Sequence, residues 1–270
     1  MPPWSPVTFR QGATMLSGIF AARFFSSSGS GSSSVTSCSK RLVRPASPYA
    51  ARESPTPLIF LQTPGVDWKE AARRPRGQEN WQDWSAMFAE KGYTSVEIDV
   101  DVRTERSGTP EFGSRDENAA PSEQQQQQDK SDIELAAAEL NQQIRLLAVP
   151  FAPVIIASGP SCLVAQTYVE SYPASGLVMV DPPPDNDPRP NGVKDGGFEW
   201  PKFTYEPRFP ILIVARKGDG QRIEDETRVG SAAKDGVGRG GKGVEVIEEV
   251  DGYGDKTRNE VERWLDRCGY

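Results

Sequence analysis

Histidine is absent from all 270 residues, so no side chain has an unperturbed pKa near neutrality. Any proton transfer would need a displaced Asp, Glu, Lys or Cys, and a conventional Ser-His-acid hydrolase is excluded. Cysteine is scarce as well. Cys38, Cys162 and Cys268 are too few and too scattered for a disulfide scaffold, their odd number favours reduced thiols, and their spacing fits no zinc site. No hydrophobic run is long enough to span a bilayer. Two glycine-rich stretches, Gly218-Asp-Gly220 and residues 236–243, lack the Gly-Lys-Ser/Thr ending of a P-loop. They also lack the strand-to-helix setting of a dinucleotide fingerprint. The sequence therefore predicts neither a metal nor a cofactor.

Acid is missing from residues 1–52, which carry Arg10, Arg23, Lys40, Arg41, Arg44 and Arg52. Beyond them, 25 basic residues face 38 acidic ones, a net of −13 that disfavours binding to nucleic acid. A basic, Ser-rich, acid-free start is the composition of a mitochondrial presequence. Met15, Leu16, Ile19, Phe20, Phe24 and Phe25 supply its apolar stretch, and the Ser/Gly run 26–39 predicts a disordered segment. The expected organisation is a presequence and disordered tail over 1–52 and one domain over 53–270. That domain would be an acidic soluble protein in the mitochondrial matrix. With 36% apolar residues and a mean hydropathy of −0.56, one core is expected rather than two.

Past Pro55 and Pro57, residues 58–61 read as a short apolar strand before the turn-forming Thr63-Pro64-Gly65. Asn80 can cap a helix over 81–91 with Trp84, Met87 and Phe88 on one face and Gly92 as its stop. Residues 94–100 are β-branched enough for a strand. Residues 103–130, including the glutamine run 124–128, predict an exposed insertion. A helix follows over 131–147, with Ile133, Leu135, Ala136, Leu140, Ile144 and Leu147 as its apolar surface.

The sharpest signal is the apolar run from Pro153 to Ala157, which turns at Gly159 into a helix ending before Pro173. A second buried strand follows over 176–181. The irregular stretch 181–210 is where a short cap or lid could lie. Strands over 210–215 and 244–247 and a helix over 257–268, with Val261, Trp264, Leu265 and Cys268 on one face, complete an α/β pattern.

From about residue 55 to the C-terminus, this order resembles the α/β-hydrolase fold. The residues that carry the resemblance are Pro153-Val-Ile-Ile, the sharp turn, Leu163-Val-Ala, Tyr172-Pro173 and Gly176-Leu-Val-Met-Val-Asp181. The flanking Trp81/Trp84, Gly92-Tyr93 and Phe209-Pro-Ile-Leu-Ile-Val214 are similar to neighbouring parts of that fold. The resemblance implies a mostly parallel central sheet flanked by helices, with a G-x-S-x-G elbow presenting a nucleophile. Here Ala157-Ser-Gly-Pro-Ser161 is the best register, so Ser158, Gly159, Pro160 and Ser161 form a degenerate elbow with Gly159 where the serine belongs.

A shifted register, Gly159-Pro-Ser-Cys-Leu163, would make Ser161 the nucleophile, but the fixed φ and missing N–H of Pro160 disfavour it, and helix N-capping is the competing role. Cys162 is a further weak candidate whose competing role is that of a small buried hydrophobe. Gln62 and Thr63 stand in the oxyanion-loop region, where the family often has His-Gly. Asp219 matches the position of the family's acid, its competing role being that of a solvated turn residue. After the last strand, Asp251 and Asp255 replace the missing histidine with acids. The expected function is non-catalytic, as a binding or assembly protein with mitochondrial protein partners or a small acyl-like ligand. The alternative is an atypical esterase or thioesterase using Ser161 or Cys162.

Overall fold

Side-chain direction alternates along a strand, and that period sorts the apolar residues of the central strands onto two faces. Ile59, Leu61, Ile155, Ala157, Leu177, Met179, Ile211 and Ile213 form one core. Leu58, Phe60, Val154, Ile156, Val178, Val180, Leu212 and Val214 form the other. A sheet with two apolar faces must be covered on both. The computed structural model shows this arrangement and describes residues 35–64, 81–103, 131–188, 200–234 and 243–270, all within a unit running from Ser33 to Tyr270.

The strands are β1 (Val35–Arg44), β2 (Ser54–Gln62), β3 (Tyr93–Arg103), β4 (Val154–Ser158), β5 (Gly176–Val180), β6 (Ile211–Ala215) and β7 (Val244–Glu248). Their order in the sheet is β1-β3-β2-β4-β5-β6-β7. β1 is antiparallel to β3, and the other neighbours are parallel. The helices are α1 (Gln82–Glu90), α2 (Asp132–Arg145), α3 (Ser161–Ser171), α4 (Gly220–Glu226), α5 (Arg228–Lys234) and α6 (Asp255–Cys268). Residues of α1 and α6 join one core, and residues of α2 to α5 join the other. The fold is therefore the mostly parallel, helix-flanked sheet that the sequence predicts.

Local chemistry sets the element ends. Ser131 and Glu134 form a reciprocal capping box that starts α2, with bonds of 3.3 and 2.8 Å. Asn80 lies outside the described residues, and the N-cap of α1 is Trp81, which gives no side-chain cap. Gly92 ends α1 at φ +97°, and a Cβ there would sit 1.8 Å from the Arg52 carbonyl oxygen. No other residue fits where the chain entering β2 crosses the helix end. Pro55 and Pro57 lie inside β2 rather than before it. The β2–β3 register shifts between Ser54 and Leu58, the stretch that holds the two prolines, which cannot donate to the ladder.

One boundary differs from expectation. Composition places residues 35–44 with the disordered tail 1–52, yet they form a ten-residue edge strand paired with β3 from Val35↔Arg103 to Arg44↔Ser95. The strand has no continuous apolar run because it borders the sheet. Its sequence, Val-Thr-Ser-Cys-Ser-Lys-Arg-Leu-Val-Arg, shows basic residues and a bulge at 38–40, both common at protected sheet edges. Residues 1–34, the 104–130 part of the insertion, 189–199 of the cap region and 236–242 of the glycine-rich loop lie outside the described residues.

Candidate functional site

In an open parallel sheet, ligands bind beyond the carboxyl ends of the strands, where the strand order reverses. Here the chain moves outward from β2 to β3 and then returns past β2 to β4, so the reversal lies between β2 and β4. Gln62 and Thr63 end one side of that crevice. Ser158, Gly159 and the start of α3 end the other.

The sharp turn is where the sequence places it. Gly159 has φ +50°, its N–H donates to the Val180 carbonyl at 2.9 Å, and its carbonyl accepts from the Cys162 N–H at 3.0 Å. Left-handed backbone between a strand and a helix presents the turn residue toward the crevice, but glycine has no side chain to present. Pro160 follows in helical conformation as the N-cap, a position its missing N–H tolerates.

Ser161 makes its contacts across the crevice. It is the first residue of α3, whose N-cap, Pro160, supplies no side-chain hydrogen bond. The Ser161 Oγ accepts the Thr63 N–H at 3.0 Å and shares a hydrogen bond with Thr63 Oγ1 at 2.9 Å. Both side chains are buried. A serine becomes nucleophilic when a base takes its proton, and the group beside this one is a neutral threonine hydroxyl. The same contact occupies the Thr63 N–H, which would otherwise be a donor in the oxyanion-loop region. Cys162 is fully buried, and burial, followed by the nearby Asp181 charge, pushes its thiol well above its ordinary value. Its burial matches the competing role of a small hydrophobe packed in the core.

The acids are engaged elsewhere. Asp219 is 36% exposed and pairs with Arg222 at 3.4 Å, and it gives α4 no side-chain cap. Asp251 accepts from the Lys256 N–H at 2.8 Å and from Thr257 Oγ1 at 2.9 Å, so it organises the first turn of α6. Asp255 is 83% exposed and pairs with Arg258 on the same helix. None of these contacts reaches Ser161 or the turn at Gly159.

Sequence reasoning missed the polar centre at the β5–β7 end. Asp181 follows β5 at φ +50°, a rare conformation for a non-glycine residue, and its side chain is 11% exposed. It meets Arg216 at 2.5 Å and Arg222 at 3.8 Å. Burial raises its pKa. Arg216 and Arg222 oppose the rise and Asp219 adds to it, leaving the carboxyl above its ordinary 3.8. Tyr253, in the loop after β7, is buried at φ +66°. Its hydroxyl has no aligned hydrogen bond, and burial and then the Asp181 charge raise its pKa, although Arg216 lies close enough to oppose them. The available signal was an acid ending an apolar strand and an Arg ending the next strand, since adjacent parallel strands bring such residues together.

The 181–210 connection is fastened at both described ends. Asp185 accepts the Arg228 N–H at 2.5 Å, Tyr205 donates to Gln166 at 2.9 Å, and Arg228 lies 4.7 Å from the centre of the Tyr205 ring. Among the described residues, no group of three or more His, Cys, Asp or Glu side chains could hold a metal ion. No described helix is long and apolar enough to cross a membrane.

No protein-family model matches the chain, and no curated protein matches its sequence. Among solved structures, it is similar to an α/β serine hydrolase without a lid from Xanthomonas campestris. The two are 10% identical, the match covers 88% of this chain and 95% of that one, and the TM-score is 0.46.

Proposed function

We propose that this chain is an α/β-hydrolase-like protein without a Ser-His-acid triad that acts in the mitochondrial matrix by binding or assembly. The observation that carries the non-catalytic reading is the turn itself. Its positive-φ residue is Gly159, and the nearest serine, Ser161, is bonded to Thr63 rather than to a base. A chain without histidine has no ordinary replacement for that base. The basic, acid-free start supports import, and the crevice between β2 and β4 is the place for a small acyl-like ligand, with mitochondrial proteins as the other class of partner.

The test is turnover. The purified full chain and its Ser161→Ala variant are assayed on short-chain esters and thioesters, with folding checked by circular dichroism. The expected result is that both are folded and neither hydrolyses the panel. Hydrolysis by the wild type that disappears in Ser161→Ala would replace this reading with that of an atypical esterase.

A further inference from the structure

Glu97 lies on β3 with its side chain 1% exposed, and both cations that reach it come from β1. Lys40 Nζ is 2.5 Å from Oε2, Arg44 Nε is 3.4 Å from Oε1, and Ser85 of α1 donates to the same Oε1. Arg44 also donates to Ser85 Oγ at 2.9 Å. β1 is thus fastened through its side chains as well as through its ladder with β3. On the other face, Arg41 donates to Gln143 of α2 at 3.3 Å, and Cys38 packs against the core.

A cut near residue 52, where the composition changes, would remove the whole strand. Glu97 would lose both counter-charges, and the outer edge of β3 would lose every hydrogen-bond partner it has in β1. Lys40 and Arg44 are 42% and 27% exposed, so losing them costs less than breaking a fully buried pair; the larger loss is the β1–β3 ladder, and an open sheet edge pairs with other chains. The compact unit, by contrast, begins at Ser33.

We propose that β1 is a permanent part of the folded domain and that proteolytic maturation of the N-terminal segment cuts before Val35. The maturation step rests on the import reading above, whereas the requirement for β1 does not.

Three proteins decide the requirement: the full chain, the chain lacking residues 1–34 and the chain lacking residues 1–44, which removes β1 but keeps the contacts of Ser47 with Ala89 and of Arg52 with Tyr93. The first two should unfold at the same temperature. The third should lose roughly 10 °C or fail to fold. Equal melting temperatures for all three would overturn the proposal.

A failure to fold is checked in the intact chain. Lys40→Met/Arg44→Met should lower Tm, and adding Glu97→Gln should restore most of the loss, because a neutral amide no longer needs the cations. No recovery would also overturn the proposal. Incubation of the full chain with isolated mitochondria, followed by N-terminal sequencing of the product, tests the cut. A mature terminus at or before Val35 supports it, and one beyond Val35 overturns it. A chain that is neither imported nor shortened refutes the import reading, and the truncations still decide the role of β1.

Discussion

The crevice over β2 and β4 and the edge over β5, β6 and β7 differ in the kind of chemistry they hold. The first contains a glycine turn and a buried pair of hydroxyls, Thr63 and Ser161. The second is ionic, with Asp181 held between Arg216 and Arg222 and with Asp219 bound to Arg222. A serine hydrolase needs one polar line running from the second region into the first, so that an acid orients the base and the base activates the nucleophile. Here the two regions touch only through the backbone, where Val180, the residue before Asp181, accepts the Gly159 N–H, and the side chains described in each pair within their own region. Restoring one missing side chain would not join them, since the acids already have cationic partners and the serine already has a threonine.

The largest effect that would break this division lies in the ionic region. Arg216→Met should destabilise the protein by about 2–3 kcal/mol, less than for a fully buried pair because Arg216 is 30% exposed. The effect should depend on pH. The Asp181 carboxyl already titrates above its ordinary 3.8, and a carboxyl raised on folding favours the folded state below that value and loses this contribution as pH rises through its folded pKa. Without Arg216 the folded pKa rises further, so the Tm difference between wild type and variant should be larger at neutral pH than below the ordinary value. Thermal melts across that range measure it. A difference independent of pH would mean that Arg216 acts by packing and not by neutralising Asp181.

Much of the fold was legible in the sequence, because the strands β2, β4, β5 and β6 are apolar enough to be buried on both faces and the helices carry clear stops. The turn at Gly159 was legible for the same reason. The edge strand β1 was not, because a strand at the border has no need of a continuous apolar run, and its basic residues read as targeting charge. Lys40, Arg41, Arg44 and Arg52 in fact have partners in the domain, which leaves Arg10 and Arg23 as the basic residues before Val35. The site was legible in position but not in contact. Thr63 and Ser161 are 98 residues apart, and their hydrogen bond follows from the adjacency of β2 and β4, which no local pattern encodes. Asp181 and Arg216 meet in the same way, through the pairing of β5 with β6.

The hydroxyl pair predicts a smaller effect than the ion pair. Ser161→Ala leaves the buried Thr63 N–H without its acceptor, a loss of about 2 kcal/mol. Replacing the threonine as well, in Thr63→Val/Ser161→Ala, removes the second hydroxyl but still leaves that backbone N–H unpaired. The double variant should therefore recover little of the loss, and chemical denaturation of the single and double variants measures the difference. Full recovery would show that the hydroxyl–hydroxyl bond, not the bond to the backbone, matters at this turn.

The smallest change addresses the comparison most directly. Gly159→Ser puts a hydroxyl at the positive-φ position and should reduce stability by about 1 kcal/mol, since a side chain in left-handed backbone is disfavoured. It should hydrolyse neither esters nor thioesters. The new oxygen would have no histidine to take its proton, and the carboxylate that follows the neighbouring strand, Asp181, is held by Arg216 and Arg222. Turnover by this variant would show that a proton acceptor does reach the turn, and the two regions would then have to be regarded as one site lacking only its nucleophile.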